Sequence, residues 1–556
     1  KLNPFKDSNK MLASELLVKC LEEEGIEIIF GLPGEENADF MMALEKSEKI
    51  RFVLTRHEQG AAFMAEAYGR LTGNPAGCLS TLGPGATNLI TGVADANMDR
   101  APMIVLTGQG STDRLHKESH QIMDTVSMFK PVTKWATSIF NPDTIPEIVR
   151  KAVRISRSEK PGAVLIELPE DVARQTTSSK PIAPRRYRRS VPDMTVIEEA
   201  SKLLIQSKRP LIIAGNGCIR KRASEQLRRL CDFSQIAVVS SFMAKGCVDM
   251  DADYCLFTIG LGAKDRIAKV IDSSDLIITL GLDMVEYPPK LWNTDSTKPI
   301  VHADFLPAEI DENYHPALEL IGDLAQTISA IAQLAEEKNY RVKDKSVYSS
   351  CRQNLLSDFS EYDLESNRPT IRPQQVLSLV RKALGPEDIL LSDVGAHKMW
   401  VARHYHCHEP NTCLIPNGFC SMGFALPAAI AASIVEPKKR VLGIAGDGGF
   451  LMNVQEMETA RRLNSNIVMM VWEDNAFGLI SWKQEDSFGR HTELSFGNPN
   501  WLELASAFNW QGLQVKKSDE LENYLESALN TFGPSLLVLP IDYRENQALT
   551  QKLQNL

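Results

Sequence analysis

Short apolar runs recur along the chain, and most of them end in turn residues that precede a helical pattern. Residues 441–445 form one such run and end in Gly446-Asp447-Gly448-Gly449. Residues 466–472 form a second, partly β-branched run and end in Glu473-Asp474-Asn475. Apolar runs of this length separated by a helical segment predict a strand–helix–strand unit of a parallel sheet.

The same alternation continues through the rest of the chain. Asn453 and Glu456 have the spacing of a capping box, which predicts the start of the helix between the two runs above. Helices are predicted at 11–25, from Glu58 onwards and at 374–384, and strands at 26–30, 50–55, 210–215, 237–241, 276–281, 300–304 and 389–392. This order of elements predicts an α/β protein built on parallel sheets.

The length and the linkers predict three domains. A chain of 556 residues is too long for one hydrophobic core. Proline and basic residues cluster at 179–189, and a charged stretch covers 338–366. We therefore expect domains at residues 1–180, 190–340 and 365–556, with linkers between them.

Composition excludes several classes of function. Hydrophobic residues make up 43% and charged residues 24%, as in soluble globular proteins. The net charge of -10 argues against nucleic acid as a partner, and no apolar run is long enough to span a membrane. The polar start KLNPFKDSNK and ten scattered cysteines without a CxxC pair lead us to expect a cytoplasmic protein with free thiols.

Asp447 and Asp474 predict a magnesium site. Each follows a strand, so both lie at the carboxyl edge of the sheet, where open α/β sheets bind ligands. Their carboxylates are hard oxygen ligands of the kind that Mg²⁺ prefers when it also holds phosphate. Gly446, Gly448 and Gly449 allow a ligand close to the backbone. A GDG sequence alone is common in turns, and its combination with the second acidic cluster is what indicates a diphosphate held through a metal.

These motifs resemble those of thiamine-diphosphate enzymes, in which GDG is followed by an amide or acidic residue after the next strand. RHEQGAAFMAEAYGRLTG and STLGPGATN, at 56–73 and 80–88, resemble the pyrimidine-binding domain of the same enzymes. The resemblance implies a pyrimidine-binding first domain, a central domain and a diphosphate-binding last domain. It implies the backbone carbonyl of Ala476 as the third metal ligand, and it places Asp474 where relatives usually have asparagine.

The resemblance also assigns roles to individual residues. The implied cofactor contacts are Pro33, Gly34, Glu58, Pro84, Asn88, Gly395, Ala396, His397, Met422, Gly446, Gly448, Gly449, Leu479 and Ile480. Glu58 is implied as the carboxyl that hydrogen-bonds the aminopyrimidine ring and so helps to remove the proton from the thiazolium C2. Judged alone, Glu58 is better explained as a helix-start carboxylate stabilised by the helix dipole, and it is the surrounding motifs that favour the cofactor role.

Residues 116–134 narrow the resemblance to acetolactate synthases, which carry a glutamine near the reacting centre, here Gln121. VEYPP at 285–289 and HAD at 302–304 resemble the flavin-independent catabolic enzymes. The implied reaction condenses two pyruvate molecules to 2-acetolactate with release of CO2, without FAD. The implied active unit is a homodimer or homotetramer with active sites at subunit interfaces.

Two alternatives remain open at the level of the sequence. Glu35 and Glu36 stand where relatives usually have a small residue, and two acids are unexpected near a site for anionic 2-oxo acids. Either they point away from the pocket, or they belong to a related enzyme, a carboligase or decarboxylase, that acts on another 2-oxo acid. The other alternative is a non-catalytic binding protein on this fold, because a fold does not fix a function.

Overall fold

The computed structural model describes residues 10–185, 189–220, 222–260, 266–360 and 369–546, and it confirms an α/β protein with three parallel six-stranded sheets. By its internal contacts the chain divides into two units. The first unit contains residues 10–185 together with Ile430–Val435 and Asn453–Leu463. The second unit contains the central and C-terminal sheets.

The first sheet belongs to the first unit. Its strands, in chain order, are β1 (Ile28–Gly31), β2 (Arg51–Leu54), β3 (Ala76–Ser80), β4 (Met103–Gln109), β5 (Trp135–Ser138) and β6 (Ala163–Pro169). They pair in the order β2-β1-β3-β4-β6-β5. The helices of this unit are Ala13–Glu23, Ala38–Leu44, Glu58–Thr72, Pro84–Met98, Thr125–Phe129, Ile145–Arg157, Glu170–Ala173 and Glu456–Arg462. Met11–Leu12 pairs antiparallel with Thr176–Thr177.

The second sheet contains β7 (Pro210–Ala214), β8 (Ala237–Ser240), β9 (Cys255–Thr258), β10 (Leu276–Leu280), β11 (Ile300–Asp304) and β12 (Leu318–Ile321), in the order β9-β8-β7-β10-β11-β12. The third contains β13 (Ile389–Ser392), β14 (Cys413–Leu414), β15 (Val441–Gly446), β16 (Val468–Glu473), β17 (Gln511–Gln514) and β18 (Ser535–Pro540), in the order β14-β13-β15-β16-β18-β17.

The remaining helices accompany the second and third sheets. They are Met194–Gln206, Asn216–Arg220, Ser224–Ser234, Arg266–Ser273, Leu324–Glu337, Ser346–Ser360, Pro373–Ala383, Ala396–His404, Asp447–Leu451, Gly478–Phe488, Trp501–Ala507 and Leu521–Asn530. Helix Ala425–Val435 contributes residues to both units. None of the helices in the described part of the chain has the length and apolarity needed to cross a bilayer.

Burial explains why these strands could be predicted from the sequence. β7, β10 and β11 are buried at every position, as are β13, β4 and β6. Parallel strands covered on both faces read as continuous apolar runs. Strands β11 and β13 have the predicted bounds. All ten cysteines are free thiols; nine are buried and Cys420 is partly exposed, as predicted.

Two local predictions are wrong. Helix Glu456–Arg462 begins without a side-chain cap, and Glu456 directs its carboxylate to Arg56 and His57 instead of forming a box with Asn453. Much of the predicted linker at 338–366 is a 15-residue helix, Ser346–Ser360, whose Leu355 is buried. Residues 361–366 of that prediction lie outside the described residues. The exact boundaries of the three domains stay a prediction.

Candidate active site

The first and third sheets each have a topological switch point, where the strand order reverses. It lies between β1 and β3 in the first sheet and between β13 and β15 in the third. Ligands of open α/β sheets bind outside the carboxyl ends of the strands at such points. We call the residues at these two places the first-sheet site (Pro33, Gly34, Glu58, Pro84 and Asn88) and the third-sheet site (Gly395 to His397, Met422, Gly446 to Gly449 and Asp474 to Ala476).

Glu58 is the acidic centre of the first-sheet site. It is the first residue of helix Glu58–Thr72 and is buried, and its Oε2 accepts a hydrogen bond from Asn88 Nδ2 at 2.9 Å. A Cβ at Gly85 would lie 3.1 Å from Oε1 of Glu58, so the glycine loop closely covers the other carboxylate oxygen. The structure thus brings together three parts of the predicted site: Glu58, Asn88 and the GPG loop that contains Pro84.

The turn containing Pro33 and Gly34 packs against the loop after β3. A Cβ at Gly34 would collide with the Thr81 side chain, and the Gly34 N–H donates to Asn37 Oδ1 at 2.9 Å. Thr81 Oγ1 donates to Glu36 Oε2 at 2.8 Å, while Glu35 is exposed. One of the two unexpected acids is therefore tied to the site loop, and the other faces away from the protein interior.

Gln121 reaches this region through its backbone. A Cβ at Gly83 would lie 2.6 Å from the Gln121 carbonyl oxygen. Gly83 has φ 47°, a left-handed conformation that glycine adopts without strain, and Gln121 itself has φ 59°. The Gln121 residue is exposed, so its catalytic role stays a prediction.

The two acidic clusters of the third-sheet site meet. In the register of β15 and β16, Gly446 lies opposite Trp472, so the two strands end side by side. Asp447 Oδ2 accepts hydrogen bonds from the backbone N–H of Asp474 at 3.2 Å and of Asn475 at 2.7 Å. The expected convergence at one sheet edge is present, although the two residues are 27 positions apart (474 − 447).

The protein does not fully balance the negative charges of the Asp447 and Asp474 carboxylates. Burial, followed by the negative charge of Asp447, raises the pKa of Asp474 to about 7. Two neighbouring carboxylates that resist joint ionisation form a suitable donor set for a hard divalent cation, because the ion supplies the missing positive charge. Ala476 lies in the same loop and forms an isolated antiparallel bridge with Ser495. The donor set therefore fits Mg²⁺.

His397 has a buried ring nitrogen that pairs with none of the described residues. Its Nε2 has no hydrogen-bond partner among the described residues, and burial lowers the pKa of the imidazole to about 4. A Cβ at Gly395 would lie 2.8 Å from His397 Cε1, and Ala396 begins helix Ala396–His404. A buried ring nitrogen that no described residue contacts by a hydrogen bond fits a ligand atom at this switch point, and with the ring proton on Nε2 it would donate to a phosphate oxygen.

Asp393 organises the loops around these residues, although no role was predicted for it from the sequence. The buried carboxylate accepts backbone hydrogen bonds from Val394 at 2.7 Å, Gly423 at 2.9 Å and Ala425 at 3.0 Å. It thereby fixes the loop that carries Met422. A Cβ at Gly449 would lie 3.0 Å from Asp393 Oδ1, so only glycine fits there without a shift. Its position directly after a buried strand was the available signal.

Asn498 is a second residue that the sequence analysis missed. Its Nδ2 donates to Asp447 Oδ2 at 2.8 Å and to Asn475 Oδ1 at 3.0 Å. It therefore holds the two acidic clusters together from a loop 51 positions after Asp447. Nothing in the local sequence around Asn498 marks this role.

Leu479 and Ile480 lie on a helix with little cover. Helix Gly478–Phe488 has no buried residue, and Ile480 is 46% exposed. A Cβ at Gly478 would collide with the Asp474 carboxylate, so the helix begins directly beside the acidic pair. The predicted apolar residues are therefore next to the third-sheet site and partly open to solvent.

The central sheet also has a switch point, between β7 and β10. Its strand order is the one typical of dinucleotide-binding folds. Here the Glu286 carboxylate accepts the backbone N–H of Asn216 at 3.0 Å and of Asp283 at 2.9 Å, and the Ser241 hydroxyl also donates to it. A Cβ at Gly217 would lie 2.6 Å from the Gly281 Cα. Backbone atoms and the Glu286 carboxylate therefore fill the space next to the turn that follows β7.

Comparison with known proteins agrees with this architecture. The chain matches three sequence-family models of thiamine pyrophosphate enzymes. They are the N-terminal TPP binding domain at residues 11–128, the central domain at 197–331 and the C-terminal TPP binding domain at 393–539. The chain belongs to the family of thiamine-pyrophosphate-dependent enzymes.

The chain is also similar to several acetolactate synthases. The chain is 34% identical to "Acetolactate synthase" of Bacillus subtilis over 97% of its own length and 94% of that protein. It is 32% identical to "Acetolactate synthase, catabolic" of Raoultella terrigena, with 97% of each chain covered. It is also 32% identical to "Acetolactate synthase 2, chloroplastic" of Nicotiana tabacum, over 98% of this chain and 84% of the relative.

Proposed function

We propose that the protein is an acetolactate synthase that condenses two pyruvate molecules to 2-acetolactate and CO2. The observation that carries the proposal is the third-sheet site, in which Asp447 and Asp474 converge next to Gly446 and His397, whose buried Nε2 has no hydrogen-bond partner among the described residues. This arrangement fits a magnesium-bound diphosphate. The names of the relatives, at 32–34% identity over nearly the whole chain, support the particular reaction.

Thiamine diphosphate supplies, when bound, an electron sink for breaking and forming carbon–carbon bonds beside a carbonyl. Asp447, Asp474 and the Ala476 carbonyl would hold the Mg²⁺, and Gly395, Ala396 and His397 would contact the diphosphate. Glu58 would share a proton with the aminopyrimidine ring. Asn88, which donates to Oε2 of Glu58, orients the carboxyl for that exchange.

The apolar residues have a different task in this proposal. Met422 would support the bent cofactor, while Leu479 and Ile480 would form the wall of the pocket where the substrate reacts. An apolar wall excludes water and favours loss of CO2 from an anionic 2-oxo acid, because charge is neutralised as CO2 leaves. Gln121 would contact the substrate from the first domain.

We propose a homodimer or homotetramer with active sites at subunit interfaces. Helix Gly478–Phe488 supports this, because its side chains are all at least partly exposed within one chain although it follows the metal site directly. A second copy of the chain, contributing its first-sheet site, would cover Leu479 and Ile480. Sedimentation of the holoenzyme tests this proposal, and a monomer with full activity would contradict it.

We also propose that the enzyme works without FAD. The backbone N–H groups at the central switch point, which would otherwise face a nucleotide phosphate, donate to Glu286. The sequence around it resembles flavin-independent enzymes. The visible absorption spectrum of purified protein tests the proposal, and a flavin band with one equivalent bound would contradict it.

The test of the reaction is a product analysis. Holoenzyme reconstituted with thiamine diphosphate and Mg²⁺ is incubated with pyruvate and, separately, with a panel of other 2-oxo acids, and products are identified by NMR. We expect 2-acetolactate from pyruvate as the main product. Release of CO2 without acetolactate would instead identify a decarboxylase, and no turnover of any 2-oxo acid would favour a binding protein.

One observation supports a second candidate, an enzyme of the same family that uses another 2-oxo acid or another acceptor. Glu36 is fixed to Thr81 at the first-sheet site, where the resemblance leads one to expect a small neutral residue. A carboxylate there disfavours a second anionic substrate and favours a neutral acceptor such as an aldehyde. Pyruvate paired with aldehydes in the same product analysis decides between the two.

A further inference from the structure

A fully buried carboxylate, Glu456, holds the turn that precedes Glu58. It begins the helix Glu456–Arg462, which belongs to the first unit although it lies nine positions after Asp447 (456 − 447). Its Oε1 accepts the backbone N–H of His57 at 3.0 Å and of Arg56 at 3.2 Å. Its Oε2 accepts the Thr459 hydroxyl at 2.7 Å.

In all of these contacts the Glu456 carboxylate accepts a hydrogen bond. Arg56 and His57 stand immediately before helix Glu58–Thr72, where backbone N–H groups lack partners within the helix. A buried N–H without a partner is costly, so the carboxylate meets a demand created by the turn. Burial raises the pKa of Glu456, while the hydrogen bonds from Thr459, Arg56 and His57 act in the opposite direction.

Gly60 makes room for this carboxylate. A Cβ at Gly60 would lie 2.6 Å from Glu456 Oε1, so a larger residue would push the carboxylate away from the turn. On the other side, the Thr55 N–H donates to the Gly31 carbonyl at 2.9 Å, which ties the end of β2 to β1. The segment between β2 and Glu58 is thus fixed by the sheet at one end and by Glu456 at the other.

We infer that Glu456 is a positioning residue for Glu58: it sets the N-terminal turn from which the Glu58 carboxyl is directed toward the aminopyrimidine ring. The inference rests on the proposed function, since it requires that Glu58 act on thiamine diphosphate. Glu456 itself touches neither Glu58 nor Asn88 through any hydrogen bond among the described residues. Its effect passes through the backbone of Arg56 and His57.

The experiment replaces Glu456 with glutamine and measures hydrogen–deuterium exchange at the C2 position of bound thiamine diphosphate. Glutamine has nearly the same shape but one acceptor oxygen instead of two. We expect exchange and kcat to fall together by about 10- to 100-fold, as for a small misplacement of a catalytic group. KM for pyruvate and the Mg²⁺-dependent affinity for the cofactor are expected to stay at the wild-type values.

Two controls accompany this variant. Glu336→Gln makes the same change on a helix of the central domain, where the carboxylate pairs only with Arg229 among the described residues, and it should leave exchange unaltered. Glu58→Gln gives the exchange rate without the acting carboxyl. If Glu58→Gln exchanges at the wild-type rate, the proposed role of Glu58 fails.

If Glu58→Gln is slow and Glu456→Gln exchanges at the wild-type rate, this inference alone is overturned. Loss of cofactor affinity in Glu456→Gln without slower exchange in the bound fraction would also overturn it, because it indicates a purely structural role. Should Glu456→Gln not fold, Gly60→Ala decides. Slow exchange there supports the inference, and wild-type exchange contradicts it.

Discussion

Single carboxylates in this protein serve different purposes because their surroundings differ. Glu58 accepts one hydrogen bond and faces a glycine, Asp393 accepts three backbone N–H groups, and Asp474 lies beside a second acid. A carboxylate saturated with backbone donors organises loops, whereas one with free acceptor capacity is available to a ligand. This difference distinguishes Asp393 from Glu58, but not from Asp447, which also accepts backbone N–H groups, from Gly448, Asp474 and Asn475.

Glu58→Gln is the first prediction at this scale. Glutamine retains the shape and a hydrogen bond with Asn88 but has no carboxyl proton to exchange. Turnover of pyruvate should fall by at least about a hundredfold, the usual size of a general acid or base contribution. Steady-state kinetics measure the loss, and titration with thiamine diphosphate should show that binding persists. Turnover at the wild-type level would exclude the role.

The raised pKa of Asp474 predicts that magnesium binding depends on pH. Its pKa of about 7 means that a proton competes with the metal below that pH. Affinity for Mg²⁺ should rise by about tenfold per pH unit up to about pH 7 and then level off. Asp474→Asn retains an oxygen ligand and should bind Mg²⁺ with a flat profile. Isothermal titration at several pH values checks both, and identical slopes would contradict the assignment.

The raised pKa of Asp474 has the opposite effect on the metal-free protein, whose stability should fall as the pH rises. Because the pKa of Asp474 is raised in the fold, the stability it contributes is complete below about pH 4 and is lost as the pH rises through about 7. Thermal unfolding of the metal-free protein should therefore show a decline across this window that Asp474→Asn lacks. An equal decline in both proteins would show that other groups cause it.

At the scale of elements, the sequence predicted strands better than contacts. Strands β11 and β13 were predictable because every position is buried and most positions are apolar. The switch-point residues Asp447 and Glu58 could be placed because Asp447 follows a strand directly and Glu58 begins the helix after a strand. Glu456 was misread, because the partners of its carboxylate lie about 400 positions earlier in the chain. Asn498 was missed for the same reason, since no local pattern encodes a long-range hydrogen bond.

Helix Ser346–Ser360 was hidden by its charged neighbours. Tyr348, Cys351 and Leu355 are its buried residues at helical spacing, and Arg352 donates to the carbonyls of Met250 and Cys255. This segment is therefore a packed part of the second unit, although its composition resembles a linker. Three buried apolar positions among fifteen residues form too sparse a pattern to outweigh the charges of the surrounding segment.

Leu355→Ala tests whether this helix contributes to stability. Leu355 is 1% exposed, so truncation should cost about 2–5 kcal/mol in the free energy of unfolding. The neighbouring Leu356 is 41% exposed, and Leu356→Ala should cost less than about 0.5 kcal/mol. Chemical denaturation of both variants measures the difference. Equal costs would mean that the helix is not packed as described.

At the scale of the whole molecule, the first and third sheets follow the same winding. Both have the order 2-1-3-4-6-5 when their strands are numbered from the first, and each places a candidate site at the reversal. The central sheet has a different order, and at its reversal Glu286 occupies the backbone donors. The molecule thus has three switch points, of which two are proposed to bind the cofactor.

The composition of the first unit predicts the behaviour of a fragment. Residues 10–185 alone lack Asn453–Leu463, so the N–H groups of Arg56 and His57 lose the Glu456 carboxylate. A fragment of residues 1–185 should unfold at a lower temperature than one carrying residues 453–463 on a flexible linker. Calorimetry of the two fragments measures this. Equal unfolding temperatures would show that the later segment adds no stability.

The interleaving of the two units also sets an order on synthesis. The first unit receives residues 430–435 and 453–463 only after most of the second unit has been translated. An amino-terminal domain normally folds as soon as it leaves the ribosome. Here the nascent amino-terminal third can collapse early but must wait for Leu463 before its last helix docks. During that interval the turn before Glu58 lacks the hydrogen bonds to Glu456. A ribosome stalled before residue 453 would carry a chain in which this turn has not reached its final structure.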